Sequence, residues 1–298
     1  MRQLQWDRYL SKENHSLPRP QDTLMFMRVA VTGATGFIAG QLKTHLAPNG
    51  HEVIALSRRR PSDWDDWRHY TLDMPASKID LADAEVVIHC AYDMRARGTD
   101  HLVINANSAV EIAEACRQTG ARLLYVSSVV AAVPDASWYA KTKRNCEISI
   151  EQAEGVNIRL GLLKDSDFDP FAKKLVGISK RFSVPLIPVP KGWVWQSTLA
   201  EFFATVEQLV SQFSEAKYVW LGGSRPVSFG DHVRDVFKSS GMKRKVIELP
   251  LWFFLLVFHV AELFSGKRGV FSTDALRALG EKASKIVSPV SGDKKVPI

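Results

Sequence analysis

The sequence predicts an α/β fold with a doubly wound parallel sheet and a smaller C-terminal region that binds substrate. Short β-branched runs alternate with helical segments from Arg28 to Ser128. These runs are apolar on both faces, which is typical of parallel strands that helices cover on each side. A glycine-rich turn separates the first run from the first helical segment. Right-handed crossovers between such strands favour the doubly wound arrangement.

The predicted elements follow in a regular order. They are a strand RVAVTG from Arg28, a helix to about Leu46, the strands HEVIALS and AEVVIHCA, a helix through Ala113, and the strand ARLLYVSS. After Gly161 the pattern becomes less regular, with a proline-rich patch at Pro185, Pro188 and Pro190 followed by helical segments. We interpret this part as the substrate-covering region.

Charge and cysteine content narrow the classes of protein. The chain has 39 Lys and Arg against 32 Asp and Glu, and the excess of +7 is spread along its length. That distribution suits an anionic small ligand, and no nucleic-acid-binding module is recognisable. Three cysteines in no metal-ligand or disulfide spacing indicate a reducing compartment and no metal site. With no signal-like apolar segment at the N-terminus, we expect a cytoplasmic protein.

One apolar segment bears on whether the protein spans or contacts a membrane. Residues 249–264 read LPLWFFLLVFHVAELF and are nearly all apolar. The segment is shorter than the roughly 20 residues that span a bilayer, so no transmembrane helix is predicted. We interpret it as a buried or subunit-facing helix, and contact with a membrane surface is the alternative.

The glycine-rich turn predicts a dinucleotide site. The segment from Val31 reads VTGATGFIAG and lies between a strand and a helix, which is the context that such a loop requires. Gly33 allows the tight turn and Gly36 lets the backbone approach a pyrophosphate. The N-terminus of the helix offers free N–H groups and the positive end of its dipole to the phosphates. A purely structural turn is the alternative.

The end of the second strand indicates which dinucleotide binds. An acidic residue there would bind the ribose hydroxyls of NAD, but this chain has Arg58, Arg59 and Arg60. A guanidinium can hold a 2′-phosphate through two charge-assisted hydrogen bonds. NADP is therefore the predicted cofactor, with NAD as the second option, and a solvated charge run is the alternative interpretation.

A candidate catalytic group follows the fourth predicted strand. Ser128 ends that strand, and Tyr139 and Lys143 lie four residues apart on the next predicted helix, hence on one face. A nearby ammonium favours the phenolate, so we expect a lowered Tyr139 pKa and a general acid/base working near neutrality. Ser128 can then bond the reacting oxygen.

These motifs together resemble the extended short-chain dehydrogenase/reductase family, particularly its nucleotide-sugar epimerase/dehydratase branch. The resemblance rests on TGATGF at 32–37, VVIHCA at 86–91, INAN at 104–107, LLYVSS at 123–128 and YAKTK at 139–143. It implies a Rossmann-type sheet, catalytic roles for Ser128, Tyr139 and Lys143, and an asparagine, Asn105, that orders water near the lysine. It also implies cofactor contacts for Asp73 and Ala91. The predicted cofactor-binding set is Gly33, Thr35, Gly36, Phe37, Ile38, Arg58, Asp73, Ala91, Tyr139 and Lys143.

Some positions depart from the family pattern. Ala39 replaces the third glycine of the loop, and Val129 and Val130 stand where the sugar dehydratases carry acids. The family's Arg-Pro reads Arg159-Leu160, and its His-x-x-Asp reads Trp195 to Thr198. A 4,6-dehydratase is therefore disfavoured, since elimination of water needs an additional acid/base pair.

Other candidate side chains have less specific patterns. His89 and His101 could be bases, but His89 ends an apolar strand, so we expect a packed, hydrogen-bonded histidine. Of the tryptophans at 64, 67, 193 and 195, the latter two are the better candidates for stacking on a substrate, with aromatic packing as the alternative.

We predict an NAD(P)-dependent oxidoreductase or epimerase that acts on a carbonyl or secondary alcohol, with Tyr139 as the acid/base. By resemblance the substrate is a nucleotide-linked sugar, and two copies pair into a homodimer. The predicted organisation is a disordered leader at 1–26, an NAD(P)-binding domain at 27–160, and a substrate-binding region at 161–298 that is interleaved with it. The alternative is a non-catalytic NADP-binding scaffold or sensor, associated with a membrane surface.

Overall fold

The computed structural model describes residues 26–94, 98–164, 176–177, 179–181, 186–212 and 214–265. The predicted leader lies outside the described residues, except for Phe26. Pro185 of the proline-rich patch also lies outside them, and so does the chain beyond residue 265.

A seven-stranded sheet forms the centre of the fold. Its strands are β1 (Arg28–Thr32), β2 (Glu52–Ser57), β3 (Asp66–His69), β4 (Val86–His89), β5 (Arg122–Ser128), β6 (Val156–Leu160) and β11 (Tyr218–Leu221). They lie in the order β11-β6-β5-β4-β1-β2-β3, and every neighbouring pair is parallel. The chain winds outward in one direction from β1 to β3 and then in the other from β4. The predicted doubly wound parallel sheet is confirmed.

Helices cover both faces of this sheet, because successive strand residues point to opposite sides. On one face α1 (Phe37–Leu46) and α4 (Leu199–Ser211) pack on residues such as Val29 and Val31. On the other face α2 (Gly98–Thr119) and α3 (Trp138–Gln152) pack on residues such as Ala30 and Val87. The β-branched runs of the sequence are thus buried from both sides.

Short strand pairs and two helices make up much of the C-terminal part. They are β7 (Leu162–Leu163), β8 (Leu186–Pro190), β9 (Trp193–Val194), β10 (Gln196–Ser197), β12 (Val227–Ser228), α5 (Phe229–Ser239), β13 (Lys245–Leu249) and α6 (Leu251–Ser265). A separate apolar cluster, with Val189, Val233 and Phe237 among its members, holds α5 against these strands. The C-terminal part of the chain also supplies β11 to the central sheet and α4 to the helices that cover it. The predicted domain boundaries stay a prediction.

Most of the apolar segment at 249–264, from Leu251 onward, forms the predicted helix α6, whereas Leu249 ends β13. The exposed fractions of four of its side chains are large: Trp252 66%, Phe253 41%, Leu256 57% and Val257 47%. The expectation that the helix is buried is wrong for these four within this chain, and a subunit-facing or membrane-facing helix stays a prediction. Among the described residues, no helix has both the length and the apolar character needed to cross a bilayer.

A buried carboxylate ties α3 to the sheet. Glu147 is fully buried and accepts two hydrogen bonds from the Arg159 guanidinium of β6, at 2.8 and 2.7 Å. It also accepts one from the Ser127 hydroxyl of β5 at 2.8 Å, and one from Arg144 at 3.0 Å. Four donors therefore compensate the removal of this charge from water, and α3 is fixed against the two strands.

We expect Glu147→Ala to lower the free energy of unfolding by roughly 3–5 kcal/mol, because it leaves Arg159 buried without its counter-charge. Urea denaturation followed by circular dichroism measures the change. The control is Glu114→Ala, which removes a carboxylate from an exposed pair with Arg117 on α2 and should cost within about 0.5 kcal/mol. Equal losses in the two variants would contradict the buried network's role.

Candidate functional site

The glycine-rich loop turns sharply at the carboxyl end of β1. Gly33 has φ +71°, and a Cβ on it would lie 2.9 Å from Ala91 Cα, so only glycine fits there. A Cβ on Gly36 would lie 3.0 Å from the Gly33 carbonyl oxygen, to which the Gly36 N–H donates at 2.7 Å. The loop is therefore a compact backbone cradle closed by glycine hydrogen bonds.

Helix α1 begins directly after this cradle. No side chain caps its N-terminus at Gly36, and its first turn carries no acidic residue. The first N–H groups of a helix lack partners within it, so this end is suited to an anion. Ala39, which replaces the family's third glycine, is buried in the core beneath the helix, where its methyl group packs.

The end of β1 is bonded to the end of β4. Thr32 Oγ1 accepts hydrogen bonds from the backbone N–H groups of Cys90 and Ala91, both at 3.0 Å, and lies 2.8 Å from His89 Nδ1. Burial, with a smaller contribution from the charge of Lys143, lowers the pKa of His89 to about 3. His89 is thus a neutral, packed residue, which confirms the structural interpretation and disfavours a base at this position.

His101 is also buried within the protein. Its Nδ1 lies 3.1 Å from the Thr142 hydroxyl, and its ring packs edge-on against Tyr92. These contacts join α2 to α3 and account for the residue by packing.

A groove of about 810 Å³ runs along the carboxyl ends of β1 to β4. Six predicted cofactor residues line it: Gly33, Thr35, Gly36, Arg58, Asp73 and Ala91. A hydrogen bond from the Thr71 side chain is the main cause that lowers the pKa of Asp73, which is exposed and keeps its negative charge at neutral pH. Phe37 is not part of this lining and packs on the core instead.

The three consecutive arginines differ in position. Arg58 lines the groove, whereas Arg59 does not and is held through its carbonyl by the Ser57 hydroxyl. The Arg60 guanidinium donates to the carbonyl of Asp65 at 3.1 Å. Of this run, Arg58 is placed to meet an anion in the groove.

Sequence reasoning missed several groove residues. They are Ser57, Tyr70, Thr71, Leu72, Cys90, Tyr92, Asp93, Met94 and Ile104. Those that directly follow β2, β3 and β4 could have been found by the rule that ligands bind beyond the carboxyl ends of parallel strands. Ile104 lies in the INAN segment on helix α2, but nothing in that segment assigns its side chain to the groove.

A second cavity of about 350 Å³ holds the predicted catalytic side chains Ser128, Tyr139 and Lys143. Tyr139 lies in the first turn of α3, where Ser137 caps the helix by accepting a hydrogen bond from the Ala140 N–H at 3.0 Å. The Ser128 and Tyr139 side chains are hydrogen-bonded to each other. Ile38 lines this cavity rather than the groove, and Cys90 lines both, so the two spaces adjoin there.

Burial dominates the protonation of the predicted catalytic pair. It raises the pKa of Tyr139 to about 12, while the hydrogen bond with Ser128 acts in the opposite direction. Burial also lowers the pKa of Lys143 to about 8. The expected lowering of the Tyr139 pKa is wrong, because removal of the phenolate from water outweighs the hydrogen bond with Ser128, and the same burial disfavours the charge of Lys143.

Lys143 is firmly held. Its Nζ donates to the Val126 carbonyl oxygen of β5 at 2.9 Å and lies over the rings of Tyr92 and Tyr125, at 4.2 and 4.7 Å from their centroids. Its distance to the Tyr139 ring centroid is 5.9 Å. The spacing of four residues places the two side chains together, as predicted, with the ammonium bonded to the strand.

The Asn105 side chain is hydrogen-bonded to backbone groups. Its side-chain oxygen accepts from the Asp93 N–H at 2.7 Å, and its amide donates to the carbonyl oxygens of Asp93 and His101. The residue thereby fixes the segment after β4 that lines the groove. Its role in ordering water stays a prediction.

Tryptophans form one wall of the catalytic cavity. Trp193 and Trp195 both line it; Trp193 is 42% exposed, whereas Trp195 is buried and packs edge-on against Trp220 at 5.0 Å. Trp64 and Trp67 belong to the packing around the main core. Val129 and Val130 line the cavity where the sugar dehydratases carry acids.

The comparisons with known proteins agree with this geometry. Residues 29–149 match the model of the NAD dependent epimerase/dehydratase family. The chain is similar to a ceramide reductase of Caulobacter vibrioides, 37% identical over 135 residues that cover 42% of each protein. It is also similar to a GDP-mannose 3,5-epimerase of Arabidopsis thaliana, 30% identical over 128 residues that cover 37% of this chain and 32% of that one. The alignments span between 12% and 42% of the length of the curated relatives.

A solved structure extends the likeness of fold. The dTDP-4-dehydrorhamnose reductase of Bacillus anthracis, in complex with NADP, superposes with a TM-score of 0.63. The superposition covers 77% of this chain and 86% of that one at 18% identity. At that identity the likeness establishes the fold, including part of the region beyond residue 149.

Proposed function

We propose that this chain, whose residues 29–149 match the model of the NAD dependent epimerase/dehydratase family, is an NADP-dependent oxidoreductase that reduces a carbonyl group to a secondary alcohol. One observation carries the proposal: the groove of the glycine-rich loop and the cavity of Ser128, Tyr139 and Lys143 adjoin at Cys90. A dinucleotide bound along the groove would end beside these three side chains.

The groove has the features that a dinucleotide phosphate needs. The cradle of Gly33 and Gly36 and the uncapped start of α1 suit the pyrophosphate. Arg58 can hold a 2′-phosphate, and Asp73 lies on the same lining for the adenosine end. When bound, the nicotinamide supplies a hydride to the carbonyl carbon.

Tyr139 supplies the proton. A phenol with a pKa raised to about 12 is protonated at neutral pH, so it can donate to the carbonyl oxygen as that oxygen gains negative charge. Ser128, hydrogen-bonded to Tyr139, can donate to the same oxygen. Lys143 places a positive charge in the cavity and favours the phenolate that remains. This arrangement fits reduction; epimerisation requires in addition that the alcohol be re-oxidised in the same site.

We expect Tyr139→Phe to lower kcat for NADPH-dependent reduction by at least 100-fold, because the proton donor is lost, while the NADPH dissociation constant stays within about twofold. Single-turnover NADPH oxidation and thermal-shift titration measure the two quantities. The matched control is Tyr218→Phe, in β11 beneath the Arg159 guanidinium, which should keep full turnover. A Tyr139→Phe variant as active as the parent protein would contradict the mechanism. A parent protein that binds NADPH and reduces no carbonyl would favour the scaffold or sensor.

The cofactor preference depends on Arg58. We expect Arg58→Ala to weaken NADPH binding about 10- to 100-fold and to leave NADH binding unchanged, because the charge-assisted bonds to the 2′-phosphate contribute about 1.5–3 kcal/mol. Arg59→Ala is the control, since Arg59 does not line the groove. Equal effects of the two substitutions, or equal affinities of the parent protein for NADPH and NADH, would contradict the assignment.

Two substrate classes fit the family. A nucleotide-linked sugar is the predicted class, and the epimerase and dehydrorhamnose reductase relatives carry such sugars in their names. A long-chain or otherwise apolar ketone is the second candidate, supported by the cavity itself. Among the described residues that line the cavity, Lys143 is the only charged one, and most of the others are apolar: Ile38, Val126, Val129, Val130, Leu160, Leu162, Trp193, Val194 and Trp195. The ceramide reductase likeness agrees with this candidate.

The apolar lining predicts a substrate preference. We expect kcat/KM for a long-chain 3-ketone in detergent micelles to exceed that for a dTDP-linked 4-keto-sugar by at least tenfold. Val130→Ser, which removes an apolar contact from the lining, should lower the value for the ketone roughly tenfold. Val133→Ser is the control, because Val133 packs beside the cavity without lining it. A higher kcat/KM for the keto-sugar than for the ketone would show that the substrate is a nucleotide-linked sugar.

Pairing of two copies stays a prediction, and so do the cytoplasmic location and the contact with a membrane surface.

A further inference from the structure

Helix α6 exposes four large apolar side chains to solvent. Trp252, Phe253, Leu256 and Val257 occur at positions i, i+1, i+4 and i+5, so they lie on one side of the helix. His259, which is also exposed, continues the same side one turn further. We call the four apolar side chains the α6 face.

The start of α6 lies near one wall of the catalytic cavity. Only Pro250 separates α6 from β13, and β13 pairs with β8 along its whole length. The Lys191 N–H, just beyond β8, donates to the Leu249 carbonyl oxygen at 2.7 Å. Trp193, half-exposed in the cavity lining, follows two residues later. The helix therefore begins within a few residues of the cavity wall.

Exposed lysines occur on the strand pair that leads into α6. Lys191 lies beside the start of the helix, whereas Lys245 begins β13 at its opposite end and Lys243 precedes it; all three are exposed. The acid nearest the helix along β13, Glu248, is engaged by the Ser228 hydroxyl at 3.0 Å and by Arg234 at 3.8 Å. The strand pair and the helix thus present an apolar face together with exposed cations, consistent with the net charge of +7.

We propose that the α6 face docks on the surface of an anionic lipid membrane, with Lys191, Lys243 and Lys245 against the phospholipid headgroups. An apolar helix face lying in the plane of the interface, with cations beside it, is the arrangement that binds such surfaces. A second copy of the chain suits the face less well. A two-fold interface brings the same patch of each copy together, and here it would bring the like-charged lysines of the two copies to one interface. The inference does not depend on the proposed reaction.

Vesicle co-sedimentation tests the proposal on the full chain. The vesicles are pure phosphatidylcholine, or phosphatidylcholine with 30% phosphatidylserine, prepared at about 0.1 M salt. We expect the parent protein to bind the anionic vesicles at least tenfold more tightly than the neutral ones, with binding that weakens as salt screens the headgroups. The double variant Trp252→Ser, Leu256→Ser should lose at least tenfold of this affinity.

A matched variant controls for the loss of exposed apolar surface as such. Phe26 and Val110 are 76% and 50% exposed and lie away from α6, so Phe26→Ser, Val110→Ser should bind like the parent protein. Circular dichroism and NADPH thermal shift establish that each variant is folded. Equal binding by the two double variants, or no binding of the parent protein to anionic vesicles, would overturn the proposal. Sedimentation velocity tests whether a second copy of the chain occupies the face instead. A parent protein that is a dimer and binds no vesicles, and that becomes a monomer in the α6 variant, would assign the face to a second copy.

Discussion

The hydrogen bonds of Thr32 Oγ1 fix the geometry on which the candidate site depends. This one hydroxyl accepts from the N–H groups of Cys90 and Ala91 and contacts His89. It joins the ends of β1 and β4, two neighbouring strands from which the chain winds in opposite directions. Because Ala91 is held here, its backbone closes on Gly33, and the turn admits no side chain. The groove and the cavity meet at Cys90, one of the residues that Thr32 holds.

A second buried polar group positions the catalytic helix. Glu147 lies one turn beyond Lys143 on α3 and binds β5 through Ser127 and β6 through Arg159. Ser127 directly precedes Ser128, so the same carboxylate orders the strand end and the helix that face each other across the cavity. An apolar contact could hold α3 on the sheet, but it would specify the rotation of the helix less tightly than the three directed hydrogen bonds from Ser127 and Arg159 do. The aryl rings around Lys143 and its bond to Val126 complete this rigid wall.

The sequence predicts the parts of the site that depend on local spacing. Strand alternation gives the doubly wound sheet, the glycines fall where β1 turns into α1, and a separation of four residues puts Tyr139 and Lys143 on one face of α3. What sequence reasoning got wrong or missed depends on tertiary burial. The Tyr139 pKa is raised because tertiary packing withdraws the phenol from water, and no spacing along α3 encodes that packing. The partner of Glu147 is Arg159 on another element, and Ile104 reaches the groove from a helix that the loop motif does not include.

The apolar character of α6 and that of the catalytic cavity have one physical consequence in common. Burial of apolar surface contributes about 25 cal/mol per Å². Trp252 and Leu256 face water in this chain, so their burial against another surface would be favourable. The chain's own core does not bury them, since these side chains do not belong to the separate apolar cluster that contains Val189, Val233 and Phe237. The cavity wall at Trp193 likewise ends in a half-exposed indole rather than in polar groups. A ligand that passes from an apolar phase along α6 into the cavity would keep its apolar surface out of water throughout. A sugar nucleotide, which is fully hydrated in solution, gains nothing from such a path.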